Sequence, residues 1–208
     1  MINYLDKFIK RNNNLDYISE GIKDLLKNTP VKKIFESINN FSLNSEVRYV
    51  GGCIRKIIQK EKVDDIDLAT NLSPQQVCDA LEKDNIDYHK TGCEHGTRTA
   101  VINDYKFEIT SLREDVLTDG RHAKVQFSHN WKKDACRRDF SINSIYSDVN
   151  GNLFDPYNGK QDLKNGLVKF IGDPEKRIKE DYLRILRYFR FFLKYSSNKH
   201  DTETLKII

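Results

Sequence analysis

The stretch Asp64-Asp65-Ile66-Asp67-Leu68-Ala69-Thr70 decides how the rest of this 208-residue chain is read, together with the pair Gly51-Gly52 upstream of it. Asp65 and Asp67 are separated by one residue. On a strand, where side chains alternate faces, that spacing sends both carboxylates to the same side, a few ångströms apart. Two like charges so placed favour a divalent cation between them. Oxygen ligands suit Mg²⁺, which takes one or two protein carboxylates and completes its shell with water and substrate phosphates. The stretch therefore predicts a metal site suited to phosphoryl transfer.

Working outward, Glu46 to Val50 has the β-branched content of a strand, and Gly51-Gly52 turns it into a short helix from Cys53 to Gln59. A strand, two glycines and a helix start bring backbone N–H groups close to phosphate oxygens. Paired glycines alone mark a tight turn equally well; the acidic stretch that follows tips the reading toward phosphate. Arg55, in the first turn of that helix, is within reach of a triphosphate. Downstream, Ser73 is a good N-cap and Pro74 suits the first helical position, so a helix is expected to about Lys83. Thr97 to Ile102 and Lys106 to Thr110 predict a hairpin turning at Asn103-Asp104. Glu108 alternates with Phe107 and Ile109, which fits either a third carboxylate beside Asp65 and Asp67 or an ordinary solvent-facing glutamate.

The segment Arg113 to Lys133 is charged and poor in core residues, and is expected to be a mobile loop followed by a short strand. Asp134 to Tyr146 begins as a polar helix and carries Arg137-Arg138-Asp139-Phe140-Ser141-Ile142-Asn143. Adjacent arginines beside an acid suggest a phosphate clamp with an orienting partner, although a surface run of charge has the same composition. Asp155-Pro156 and Gly159 punctuate the chain and mark a boundary. Beyond it, Asp173 and Pro174 open a helix expected to reach Tyr195, with Ile178, Tyr182, Ile185, Leu186, Phe189, Phe192 and Leu193 as its apolar stripe. Glu180, Asp181, Arg184, Arg187 and Arg190 lie off that stripe, where salt bridging along the helix is the plain alternative to a binding role.

Residues 3–40 have helix-like apolar spacing, from Tyr4, Phe8 and Leu15 through Ile38, and are expected to pack beneath the sheet. At the other end, Thr202 to Ile208 looks like the first turns of a further helix, so the chain is expected to be a fragment lacking C-terminal parts. The composition is that of a polar globular protein rather than a disordered one, with 38% hydrophobic and 32% charged residues, 11 Phe and 10 Tyr. A net charge of +4 permits nucleic-acid binding without requiring it. Cys53, Cys78, Cys93 and Cys136 form no Cys-x-x-Cys cluster and are expected to be reduced thiols. No apolar run approaches the roughly 20 residues of a membrane span, and a cytoplasmic setting is expected.

Six motifs in order resemble one family. They are Gly51-Gly52-Cys53-Ile54-Arg55, Asp65 to Thr70, Phe107-Glu108-Ile109-Thr110-Ser111-Leu112-Arg113, Arg137 to Asn143, Phe154-Asp155-Pro156, and Glu180-Asp181-Tyr182-Leu183-Arg184-Ile185-Leu186-Arg187. Over residues 46 to 195 the chain is similar to class II tRNA nucleotidyltransferases, the CCA-adding enzymes grouped with bacterial poly(A) polymerases, in wording nearest the alphaproteobacterial type. The resemblance implies an α+β fold with a polymerase-β-like nucleotidyltransferase head, a small mixed sheet with helices, followed by a helical neck. It divides the chain into N-terminal helices (1–40), a catalytic head (41–154) and a neck that recognises the base (155–208). It implies Mg²⁺-dependent addition of C, C and A to tRNA from CTP and ATP. Poly(A) synthesis and a non-catalytic RNA- or nucleotide-binding module remain the alternatives.

By the same resemblance Asp65 and Asp67 hold the metal; Glu108 is the candidate for a further catalytic carboxylate on its strand position alone. Gly51, Gly52, Arg55, Arg138, Asp139 and Asn143 serve the nucleotide, Asp181 and Arg184 read its base, and Arg187 and Arg190 line the same site. Arg113 to Lys124 corresponds to the loop associated with the switch from C to A addition. Two positions depart from the family's wording. Lys56 stands where an aspartate is usual, removing a partner for a basic neighbour, and Arg98 lies in Gly96-Thr97-Arg98-Thr99 where Gly-Thr-Val-Thr is usual.

Overall fold

The structure, a computed structural model, describes residues 17–90, 96–118, 123–196, 200 and 202–208. Tyr4, Phe8, Leu15, Cys93 and residues 119–122 of the expected loop lie outside the described residues. In chain order the elements are α1 (described over 17–28), α2 (Val31–Asn39), β1 (Val47–Val50), α3 (Gly52–Ile58), β2 (Ile66–Thr70), α4 (Pro74–Lys83), β3 (Asp87–His89), β4 (Thr97–Ile102) and β5 (Tyr105–Ser111). Then come β6 (Arg113–Thr118), β7 (Ala123–Phe127), α5 (Trp131–Arg137), β8 (Tyr146–Ser147), β9 (Leu153–Phe154), α6 (Gly159–Lys164), α7 (Pro174–Glu180), α8 (Leu183–Tyr195) and α9 (Thr202–Ile207).

Seven strands form one mixed sheet in the order β3-β4-β5-β2-β1-β8-β9. The β2–β5 pair is parallel and the other pairs are antiparallel. One face is sealed by α1 to α4. Ile66, Leu68, Ala100, Ile102, Phe107 and Ile109 from the strands pack there against Ile22, Ile34, Ile54, Val77 and Leu81 from the helices. Phe107 is wholly buried, which is worth about 1.5–3 kcal/mol. Helix α4 starts as its sequence dictates, with a capping box in which Ser73 Oγ accepts from Gln76 N–H and the Gln76 side chain accepts from Ser73 N–H. The 97–111 hairpin turns at Asn103, whose left-handed φ of 54° is one that asparagine tolerates.

Arg113 to Lys133 differs from the loop expected. Its described parts form the antiparallel ribbon β6–β7, and α5 has already begun at Trp131, capped by Asn130, whose side chain accepts from Lys132 and Lys133 N–H. The ribbon hid from pattern reading because neither strand has a fully apolar face.

The helix expected over 174–195 is two helices. Asp173 caps the first by accepting from Lys176 N–H, as expected. At Asp181 the backbone is extended (φ −158°, ψ 105°), and Asp181 Oδ1 accepts from Leu183 N–H to start the second. Aspartate bonds its own downstream backbone readily, which lets it break a helix that propensity alone would carry through. The buried face of α8 consists of Arg184, Tyr188 and Phe191, whereas Tyr182, Leu186 and Leu193 of the expected stripe are exposed. Tertiary packing decides this, since α8 lies on Phe140 and Phe170. Phe140 stands 4.7 Å from Phe170, 5.7 Å from Phe191 and 6.2 Å from Tyr188, measured between ring centres. The same cluster includes Leu163 and Ile178, so apolar packing continues across residue 155.

Candidate active site

The turn after β1 is dictated by Gly51, whose φ of +66° and ψ of −113° suit glycine alone. A Cβ on Gly51 would stand 3.6 Å from Arg138 Nη1, and one on Gly52 would stand 3.7 Å from Asp67 Oδ2. The glycine turn thus lies between an arginine and an aspartate, with its backbone open to both.

Asp67 sits in β2, half-buried, on the face opposite Ile66 and Leu68. Asp65 precedes the strand rather than belonging to it and is exposed. The strand alternation expected to align the two carboxylates therefore holds only from Ile66 onward. Their proximity comes from the chain entering β2, and Asp65 is close enough for its charge to act on Asp67. Glu108 is registered directly across from Asp67 on β5. Burial raises the Asp67 pKa, the Glu108 charge raises it further, Asp65 adds to this, and Arg138 and Arg55 oppose it. Among the described residues no three His, Cys, Asp or Glu side chains gather as a metal-binding group. Glu108 thus faces Asp67 without completing a three-acid set.

Arg138 is held from several sides. Its Nε donates to Tyr146 Oη (3.0 Å) and Asp134 Oδ2 (3.3 Å), Nη2 donates to Asp134 Oδ2 (3.2 Å), and Nη1 donates to the Asn143 carbonyl (3.4 Å). Tyr146 Oη donates to the same Asp134 oxygen at 2.7 Å, and Arg137 pairs with the other at 2.8 Å. Burial pushes the Asp134 carboxyl up, but Arg137 and Arg138, with the Tyr146 hydrogen bond, outweigh it and hold the pKa at about 2.

The orienting partner of the paired arginines is thus Asp134, where the adjacent Asp139 was the visible candidate. Asp134 precedes Arg137 and Arg138 by three and four residues, the spacing of one helix face, and that was the available signal. Nothing in the sequence pointed to Tyr146.

Asp139 does other work. Its Oδ1 accepts from Phe140 N–H (2.8 Å) and Asn143 Nδ2 (2.9 Å), and its Oδ2 pairs with Arg187 at 2.7 Å. Asn143 Oδ1 accepts from Arg55 Nη1. Arg55 itself is buried, with its guanidinium 4.7 Å from the Phe191 ring centre and 5.1 Å from that of Tyr195. The expected free reach of Arg55 toward a triphosphate is therefore replaced by a position between α3 and α8.

Arg184 is buried, its Nη1 donating to Glu180 Oε2 (2.7 Å) and the Arg177 carbonyl (2.6 Å), and Arg177 pairs with the same Glu180 oxygen. Asp181 is half-buried beside it. Arg190 is exposed, lying 4.8 Å from the centre of the Phe191 ring. Lys56, one of the two departures, pairs with Asp64 at 3.1 Å, so it gains a partner at the entry to the acidic stretch. Arg98, the other, is buried and donates to Cys78 Sγ at 3.3 Å.

Residues 47–169 match the model of the poly A polymerase head domain family. The chain is similar to the mitochondrial CCA tRNA nucleotidyltransferase 1 of Homo sapiens, with 48% identity over 168 residues, or 79% of this chain and 39% of that protein. Among solved structures it is similar to a Bacillus stearothermophilus CCA-adding enzyme in complex with CTP, with a TM-score of 0.72 and 27% identity over 86% of this chain and 42% of that one. It is also similar to a tRNA nucleotidyltransferase complexed with a primer tRNA and an incoming ATP analog, with a TM-score of 0.63 and 26% identity over 79% of this chain and 46% of that one. The chain thus spans about two fifths of the length of these relatives.

Proposed function

Since the chain belongs to the poly A polymerase head domain family, we propose that it is the nucleotide-adding part of a CCA-adding enzyme, extending the 3′ end of tRNA with C, C and A from CTP and ATP. The observation that carries this reading is the placement of Asp67 between Glu108 and the glycine turn, with the clamped Arg138 on the turn's other side. Acidic groups that repel one another next to an open basic clamp suit a cation on one side and a triphosphate on the other.

The donor set fits Mg²⁺, with Asp65 and Asp67 as its holders. When bound, the ion lowers the pKa of the attacking 3′-hydroxyl and offsets charge on the α-phosphate. The 3′-oxygen bonds to the α-phosphorus, the bond from that phosphorus to the bridging oxygen breaks, pyrophosphate leaves, and the hydroxyl proton passes to water. Arg138 and the backbone of Gly51 and Gly52 hold the triphosphate for this step. Arg55, Asn143, Asp139 and Arg187 join α3 to α8 and fix the distance between triphosphate and base.

Asp181 and Arg184 choose the base by hydrogen-bond polarity. An ionised aspartate only accepts and an arginine only donates, which suits an edge with an exocyclic amine beside a ring-nitrogen acceptor. Cytosine and adenine present that edge, whereas uracil and guanine set a carbonyl beside a ring N–H. Glu180 and the Arg177 carbonyl hold Arg184 in place, and Arg190 lines the outer edge of the site.

No helix among the described residues is long and apolar enough to cross a membrane. The proposed setting is the cytoplasm, supported by the unpaired Cys53, Cys78 and Cys136. The test is incubation with Mg²⁺, labelled CTP and tRNA lacking its CCA. Incorporation of C by the wild type and its loss in Asp67→Ala support the proposal. Incorporation from ATP alone, on any RNA 3′ end, would show poly(A) synthesis instead.

A further inference from the structure

Asp65 belongs to no helix or strand, yet the proposed metal site needs it beside Asp67. It is exposed and follows the segment 59–64, which joins α3 to β2. Close packing does not hold that segment on all sides, because Lys60 to Asp64 border a cavity of about 900 Å³ together with Tyr17, Glu20 and Asp24 of α1. Val63 packs against the main core, and polar ties hold the rest.

Lys56 supplies two of those ties. Helix α3 ends in a Schellman turn, with Lys60 in the left-handed region at a φ of 58°. Lys60 N–H donates to the Ile57 carbonyl at 3.0 Å, and Glu61 N–H donates to the Lys56 carbonyl at 2.8 Å. The Lys56 carbonyl thus takes the start of the segment, and its ammonium takes the end, donating to Asp64 Oδ2 at 3.1 Å. Lys62 also approaches Asp64, at 3.7 Å, but its side chain is 90% exposed against 20% for Lys56, so water screens it and it holds less. Glu61 pairs with Lys194 of α8 at 2.7 Å, which steadies the middle.

The consequence falls on Asp65, the next residue. Pairing of Ile66 with Phe107 fixes the chain on one side of it, and Asp64 held by Lys56 fixes it on the other. Helix α3 starts at the glycine turn and is only seven residues long, or about 10 Å. One short helix therefore carries the amides offered to the triphosphate at its start and the hold on the acidic stretch in its last turn.

We propose that Lys56 is a positioning residue for the metal site: its pair with Asp64 sets where Asp65 stands relative to Asp67, and so sets the affinity for a divalent cation. This deepens the reading of Asp65 and Asp67 as holders of Mg²⁺ and rests on it. Position and charge predict opposite outcomes. Through its field alone, an ammonium near two carboxylates opposes a bound cation, so its removal would tighten binding. Through position, its removal loosens Asp65 and weakens binding.

Isothermal titration calorimetry with Mg²⁺ on the full chain separates the two, in wild type, Lys56→Gln, Lys56→Glu and the double variant Lys56→Glu/Asp64→Lys. Both single variants are expected to raise the Mg²⁺ dissociation constant about fivefold, the upper range for a pair this open to water. The double variant, with the pair reversed, is expected to return to within about twofold of wild type. Binding that is tighter or unchanged in either single variant, or a double variant as weak as Lys56→Glu, would overturn the role of Lys56. The metal reading survives that result as long as Asp67→Asn loses Mg²⁺ binding. No binding by wild type, or equal binding by Asp67→Asn, would overturn both.

Discussion

Two acids on either side of the glycine turn, Asp134 buried and Asp67 half-buried, behave in opposite ways. Asp134 is surrounded by Arg137, Arg138 and Tyr146 and is held at a pKa of about 2. Asp67 is surrounded by its own burial, Glu108 and Asp65, and its pKa is raised although Arg138 and Arg55 oppose the shift. The first cluster is complete within the protein, so it serves as scaffold. The second carries unrelieved repulsion, which a fold retains where a ligand supplies the missing charge. Arg138 belongs to both, since Asp134 fixes its position and its Nη1 stands beside the glycine turn.

That contrast orders the consequences of substitution. The largest effect is expected for Asp67→Ala, which should reduce CMP incorporation more than about 10⁴-fold, or about 5.5 kcal/mol on the barrier, without loss of folding. Next is Asp134→Ala, which strands two arginines in a buried site. It should cost about 3–5 kcal/mol in urea unfolding, and an equal loss in Asp67→Ala would erase the distinction between the two acids. Acid titration gives a third check. Asp134 has its folded pKa below the unfolded value of about 3.9, so its contribution is present above that pH and is lost as pH falls through about 2. The stability gap between wild type and Asp134→Asn should therefore narrow between about pH 4 and pH 2.

Smaller changes sharpen the same comparison. Glu180→Gln removes the anion that Arg177 and Arg184 share, and is expected to raise KM for CTP with a stability loss of about 1–2 kcal/mol. Lys56→Gln, at a pair in which Asp64 is exposed and Lys56 half-buried, should change stability by less than about 1 kcal/mol.

Much of this arrangement is legible in the residues themselves. The Ser73–Gln76 capping box, the strand, glycine pair and helix at 47–58, and the hairpin at 97–111 are local, and local chemistry decides them. What escaped reading is tertiary. Asp134 looked like the start of a helix until folding set Tyr146 against it. Asp181 looked like mid-helix because nothing in its neighbours announces that its side chain caps Leu183. The exposed Leu186 and Leu193 looked like core because periodicity does not say which side of α8 meets Phe140. Arg55 looked free because its partners Asn143, Phe191 and Tyr195 are distant in sequence.

The most direct measurement is thermal unfolding of wild type and Asp67→Asn, each with and without Mg²⁺. Without the ion, Asp67→Asn is expected to melt no lower than wild type, because it removes a repelled charge. With Mg²⁺ at about 100 times its dissociation constant, wild type should gain about 2.7 kcal/mol, or roughly 5–10 °C, and the variant nothing. A variant that melts lower than wild type in the absence of the ion, or that gains as much from Mg²⁺, would show that Asp67 is scaffold like Asp134 and would contradict the assignment of the site.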